Sequence, residues 1–356
     1  MLHYMITNRE IISENGIEYI RKDGKEEAAD EIRFAIIDSE TKVYTLIPDR
    51  FFNDNVNKDE DAFANTYTGK YNPNDLQSLT GSERMFVQLY YTLKDANKGG
   101  DVLLFVHGFN NDLEDSIDEL IKIEKAIIKP GSPIKHLVLF SWPSRNNLLK
   151  YRDDHRDAEL SGYALGRAYD MLRDFFIKLF GRNPEAPKNE PCANNIHIMC
   201  HSKGNFVLEN MMIKLNNERR PTNALFEEVI LTGSDVDWQV FEEPRAFYRL
   251  TEICRRVHIY HHRKDRALGI SETTKNGSNR LGKYGPRDIR KIPSHVYVID
   301  VTNIKDQKGI KDKSIDHWYH LSSKKVQNDF IEVFRGVNSE NLKGRERISP
   351  TTFRLS

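Results

Sequence analysis

Residues 197 to 207 read HIMCHSKGNFV. Their centre, Cys200-His201-Ser202-Lys203-Gly204, is one residue away from G-x-S-x-G, the turn that presents a nucleophilic serine between a strand and a helix. Strand and helix backbones nearly touch across that turn, so small side chains are needed two before and two after the serine. Gly204 meets the second need. Cys200, small but not absent, meets the first loosely. The flanks have the right character: NIHIMC reads as a buried strand, and KGNFVLENMMIKL has the spacing of an amphipathic helix. The competing reading is a buried strand end that happens to carry a serine, so the surrounding pattern has to decide.

From residue 101 that pattern is regular. DVLLFVHGF is an apolar run ending in glycine. A helix is predicted from about Asp112 to Ile128, with Leu113, Ile117, Leu120, Ile121 and Ile127 on one side. KHLVLFSWP is the next buried strand, and a long amphipathic helix covers roughly 154 to 180. After NIHIMC and its helix come the strands FEEVILTGSD, RRVHIYHH and HVYVIDV, then a last helix at about 322 to 335. Apolar strands alternating with helices predict an α/β fold with a mostly parallel central sheet and helices on both faces. The first hundred residues are strand-rich (MLHYMITNREI, EIRFAIIDSETKVYTLI) and then helical (SERMFVQLYYTL), an N-terminal extension of the same domain. Between them, residues 50 to 80 are rich in Asn and Asp and read as a long surface loop. One domain is expected over residues 1 to 336, followed by a polar, loose tail over 337 to 356.

Composition narrows the function classes. Of 356 residues, 38% are hydrophobic and 30% charged, as in a folded globular chain. Lys+Arg and Asp+Glu both number 53, so there is no basic excess of the kind nucleic-acid binders carry. The three cysteines, Cys192, Cys200 and Cys254, form no CxxC pair, and the start lacks an apolar core long enough for a signal peptide. No run approaches a membrane span, and a reducing, cytoplasmic setting is expected. No G-x-G-x-x-G opens a helix after a strand and no G-x-x-x-x-G-K-[ST] loop is present, so neither a dinucleotide nor a phosphate-loop cofactor is predicted.

A serine at its free pKa needs a base, and the base needs an orienting acid. In this class of fold the chain order is serine, acid, histidine, each following a strand end. Asp265, just after RRVHIYHH, fits the acid, with Asp235 and Asp237 after VILTGSD as rivals. His317 and His320, in SIDHWYHLSS beyond the last strand, are the candidate bases. The oxyanion hole requires the amide after the serine, here Lys203, and a second from an earlier strand end. HGFN at 107 to 110 supplies it through Phe109, with Gly108 permitting a close backbone turn. His107, Gly108, Asn110, His201, Trp142 and Trp318 are candidate pocket residues.

FVHGFNN (105 to 111), FSWPS (140 to 144), HIMCHSKGN (197 to 205), ILTGSDVDWQVF (230 to 241), YHHRKDRAL (260 to 268), NRLG (279 to 282) and DHWYH (316 to 320) occur in that order, with ITNRE near the start. Together they resemble an uncharacterised bacterial α/β-hydrolase family, esterase- or lipase-like and of unknown function, over roughly residues 1 to 335. The resemblance implies Ser202 as nucleophile, Asp265 as acid and His317 as base, through RKDRAL and DHWYH. It supplies no substrate. Lys203 departs from the methionine more common at that position and sets a cation beside the serine.

Other features have plainer readings. Trp142 and Pro143 end a strand on the elbow's side of the sheet; Pro143 also simply terminates it. YRDDHRDAE (151 to 159) reads as a solvated helix start, with Asp153 or Asp154 near the N-cap. His261, His262 and Asp265 suggest metal ligation, but adjacent strand residues face opposite sides, so no metal is expected there. Residues 263 to 291 hold nine Lys/Arg against three acids, enough to favour an anionic acyl substrate or simply to make a solvated loop. The leading expectation is a carboxylesterase- or lipase-type serine hydrolase acting on a small acyl substrate. The alternative is a scaffold of the same fold that binds a ligand or partner without turnover, using the Asn/Asp-rich loop and the basic segment.

Overall fold

The computed structural model describes residues 1–22, 31–48, 81–94, 100–144, 151–181, 194–219, 223–272, 277–308 and 315–356. The Asn/Asp-rich stretch 50 to 80 and Cys192 lie outside these residues.

The strands are β1 (Leu2–Thr7), β2 (Ile11–Glu14), β3 (Ile17–Ile20), β4 (Arg33–Asp38), β5 (Val43–Leu46), β6 (Asp101–Val106), β7 (Ile134–Ser141), β8 (Ile196–His201), β9 (Phe226–Thr232), β10 (Cys254–His261), β11 (Val296–Asp300), β12 (Arg345–Arg347) and β13 (Thr352–Leu355). The helices are α1 (Gly81–Lys94), α2 (Leu113–Ile127), α3 (Tyr151–Gly181), α4 (Gly204–Asn217), α5 (Arg266–Ser271), α6 (Leu281–Tyr284), α7 (Tyr319–Ser322) and α8 (Lys324–Phe334). An eleven-stranded sheet runs β12-β13-β11-β10-β9-β8-β6-β7-β1-β4-β5. Every pair from β13 to β1 is parallel. The antiparallel strands β12, β4 and β5 lie at the edges. The N-terminal strands therefore continue the central sheet. The separate β2-β3 hairpin turns on Asn15-Gly16, both at positive φ, as a two-residue turn requires.

Alternation along β6 shows why the apolar runs are unbroken. Val102, Leu104 and Val106 pack on the face covered by α3 and α4, with Leu165, Val207 and Met211. Leu103 and Phe105 pack on the face covered by α2 and α8, with Leu120, Ile123 and Phe330. Both faces are buried, so the run from Val102 to Val106 is apolar at every position. At α2, Asp112 and Asp115 form a reciprocal capping box that fixes where the helix starts.

From β6 the chain goes to β7 on one side, then returns to β8 on the other. Beyond the carboxyl ends of β6 and β8 the sheet order thus reverses, which is where open α/β sheets place their ligand crevice. Among the described residues no helix is long and apolar enough to cross a membrane.

The expected loose tail is instead β12 and β13, paired with each other and, through β13, with β11. Phe353 and Leu355 are buried. Arg345 reaches inward to Asp329 on α8 (2.7 and 2.8 Å) and to the Tyr260 hydroxyl (2.9 Å). The tail looked loose because its charges read as solvated, whereas this arginine is paired in the interior. We expect Phe353→Ala to lower unfolding free energy by about 3–5 kcal/mol in urea denaturation, the usual cost of a buried Phe-sized cavity; a loose tail would show no change.

Candidate active site

β8 is wholly buried and delivers the chain to Ser202, whose φ is 52°. A side chain in this left-handed region is strained, as the serine of a strand-to-helix elbow is. The strain is held by hydrogen bonds. The Ser202 N–H donates to the Thr232 carbonyl (3.0 Å), and the Ser202 carbonyl accepts from the Asn205 and Asp235 amides (3.1 and 3.2 Å). The Asn205 amide group adds bonds to the carbonyls of Cys200, Ser202 and Thr232 (3.2, 3.0 and 3.2 Å). Its carbonyl accepts from the Ser234 hydroxyl (3.0 Å). Asn205 is thus the brace of the turn, a role its polar side chain in a helix's first turn did not announce.

α4 begins at Gly204, where a Cβ would lie 2.4 Å from the Val106 carbonyl oxygen and 2.7 Å from that of His107. Cys200 is fully buried in the core opposite Val106, and burial pushes its thiol pKa up, so it is inert packing.

The HGFN turn lies against the serine. A Cβ on Gly108 would be 3.0 Å from the Ser202 Cβ. His107 and Trp142, two of the candidate pocket residues, are wholly buried and lock this turn. The Trp142 amide donates to His107 Nε2 (3.1 Å), and the Trp142 ring N–H donates to the His107 carbonyl (2.9 Å). His107 Nδ1–H then donates to the Gly108 carbonyl (2.9 Å), and burial lowers the ring's pKa to about 3. Asn110, at φ 65°, donates its amide to the Ser144 hydroxyl (2.9 Å). Arg9, from the ITNRE motif, braces the same loop through Ser141 Oγ (2.9 Å) and the Asn111 carbonyl (3.1 Å).

Asp265 follows β10 as the N-cap of α5. Its Oδ1 accepts from the Leu268 amide (3.0 Å), and its Oδ2 accepts from His317 Nδ1–H (2.7 Å). Burial opposes a charge on His317, but the neighbouring Asp265 charge and hydrogen bond outweigh it and raise the ring's pKa. The ring packs on the turn after β9, where a Cβ on Gly233 would lie 3.0 Å from His317 Cε1. The rival acids bond elsewhere. Asp235 accepts from the Ser271 hydroxyl (2.7 Å) and faces Arg280 (3.5 Å), and Asp237 accepts from the Gln239 amide (2.7 Å). The rival base His320 is fully buried, with Nε2 3.8 Å from Glu119. His262 faces Asp316 (3.5 Å).

His201 sits under the turn. Its Nδ1 is 3.0 Å from Glu119 and its Nε2 is 3.3 Å from the His317 carbonyl. Trp318 packs on its ring at 4.6 Å. Burial lowers the His201 pKa to about 3. Glu119, on α2, escaped the sequence reading because one glutamate on a helix reads as solvated. Its signal was its place between buried Ser116 and Ile123 on the helix's inner face.

Lys203 is not the cation at the pocket that its position suggested. Its side chain is buried, with Nζ 2.8 Å from His155 Nδ1 on α3 and 4.9 Å from the Phe206 ring centre. Burial and the Lys203 charge lower the His155 pKa to about 4, which keeps it a neutral acceptor. In the basic segment, Lys283 pairs with Glu272 (2.7 Å), Arg287 with Glu242, and Arg290 with Asp288 (2.9 Å). These pairings hold three of the run's nine cations in ion pairs.

Residues 87–334 match the model of a family described as an alpha/beta hydrolase of unknown function (DUF900). The chain belongs to that family. The match takes in the elbow, the HGFN turn, Asp265 and His317, and leaves out β1 to β5 and the strands β12 and β13. No curated protein matches the chain. The α/β-hydrolase family thus fixes the fold and the broad hydrolase class, and leaves the substrate open.

Proposed function

We propose that this α/β-hydrolase is a serine hydrolase that cleaves a carboxylic ester, or a thioester or amide, through a covalent acyl-enzyme. The observation that carries the reading is the 2.7 Å bond from His317 Nδ1–H to Asp265. The aspartate is held by a helix cap, and the bond leaves Nε2 of the neutral ring as its basic nitrogen. His317 takes the Ser202 proton, and the serine oxygen attacks the acyl carbon. The amides of Phe109 and Lys203 hold the oxyanion, one following the glycine packed on Ser202 and the other following Ser202 itself. His317 returns the proton to the leaving group, then activates the water that frees the acid. No step calls for a cofactor.

The test is covalent labelling with a fluorophosphonate probe. The parent protein should be labelled and Ser202→Ala should not. No labelling of the parent at any pH from about 6 to 9, the range in which a histidine base becomes neutral, returns the fold to a binding scaffold.

A further inference from the structure

We propose that Glu119, His201 and His320 bind a divalent metal ion of the zinc class beneath the nucleophile turn. One donor atom from each of the three lies within 4.8 Å of the other two, and all three residues are buried. Glu119 Oε1 is 3.0 Å from His201 Nδ1 and 3.8 Å from His320 Nε2. Donors around a tetrahedral zinc ion, bound at about 2.0–2.1 Å, are spaced roughly 3.3 Å apart, so small side-chain adjustments close the set.

Two observations point to a ligand and not to a self-contained network. His320 is 0% exposed, and neither of its ring nitrogens has a hydrogen-bond partner. A buried imidazole left in that state is costly and calls for an ion or a water. His201 has the opposite problem. Both its nitrogens face oxygen acceptors, Glu119 and the His317 carbonyl, yet a neutral imidazole has one N–H. A metal on Nδ1 removes the conflict, leaving Nε2–H to donate to the carbonyl. That is the outer-shell arrangement metal-bound histidines adopt. Glu119 is prepared in the same way, its second oxygen accepting from Asn111 Nδ2 at 2.5 Å.

Two imidazoles and one carboxylate suit zinc or a similar borderline ion and not the all-oxygen preference of calcium or magnesium. The role is positioning. The ion would tie α2 to the residue before Ser202 and to α7, and through His201 to the carbonyl of His317. The proposal is independent of whether Ser202 turns over a substrate.

Elemental analysis of the dialysed full-length protein from zinc-supplemented cells should find about one zinc per chain. After removal of zinc, cobalt(II) should restore about one equivalent with a visible d–d band of nitrogen ligation. His320→Phe and Glu119→Gln should each reduce retained metal at least about tenfold, in line with the sensitivity of such sites to their surroundings. A parent chain that takes up neither zinc nor cobalt overturns the proposal, as does a folded His320→Phe that keeps its metal. If that variant fails to fold, cobalt uptake by the parent decides alone. Fluorophosphonate labelling is read separately, so loss of the metal site and loss of the hydrolase reading remain distinguishable.

Discussion

Asp265→Asn should lower turnover of an acyl ester by about four orders of magnitude, the loss seen when a triad aspartate becomes asparagine. The carboxylate accepts from His317 Nδ1–H, which keeps the ring in the tautomer with a basic Nε2. Asparagine offers an N–H in the same place and favours the other tautomer. Its carbonyl can still cap α5 toward Leu268, so the loss should come without unfolding. This separates it from Asp265→Ala, which removes the cap as well and should cost a further ~1 kcal/mol of stability. Ser202→Ala and His317→Ala should each cost about 10⁶ in kcat, and the pair together no more than either alone, because the groups act as one unit. Steady-state kinetics on a chromogenic ester, with circular dichroism of each variant, reads all of these. Asp265→Asn turnover within tenfold of the parent would remove Asp265 from the mechanism.

The sheet was legible because its strands are buried on both faces. DVLLFV, NIHIMC and VILT could be read as strands without knowing what packs on them, and α2 and α4 followed from their periodicity. The choice between His317 and His320 was open to spacing alone, since both follow the last predicted strand. A hydrogen bond distinguishes them: His317 bonds to Asp265, whereas His320 Nε2 stands 3.8 Å from Glu119, beyond hydrogen-bond distance. What could not be read shares one physical cause, long polar side chains whose partners are distant in sequence. Lys203 looked like a cation beside the nucleophile because its neighbour is Ser202, yet its ammonium group lies on His155, 48 residues away. Arg345 made the tail look solvated, and its partner Asp329 is on another element. Glu119 meets His201 across 82 residues. Apolar periodicity reports one residue's environment at a time; buried polar pairs require two, and no local pattern marks them.

The first glycine of the elbow was replaceable and the second is not, and Gly204→Ala measures the difference. Cys200 fits because its side chain points into the apolar layer opposite Val106. At Gly204 an added Cβ meets the Val106 oxygen at 2.4 Å, the His107 oxygen at 2.7 Å and the Val106 carbonyl carbon at 3.0 Å. All are backbone atoms of β6 and its turn, so nothing can rotate away, and α4 must move off the strand. We expect a loss of about 3 kcal/mol or more in urea denaturation, at or beyond the upper range for overpacking. Gly166→Ala, in the interior of α3, is the matched comparison. Its Cβ meets Lys214 Cδ at 2.9 Å, the middle of a flexible side chain that can shift, and alanine is the better helix former by about 1 kcal/mol. That change should be neutral or stabilising. Any Gly204→Ala that remains folded should also lose fluorophosphonate labelling, because separating α4 from β6 draws Ser202 away from Gly108, the contact that sets the HGFN turn against the serine. Equal stabilities for the two variants would mean that strand and helix are not held as closely as this turn requires.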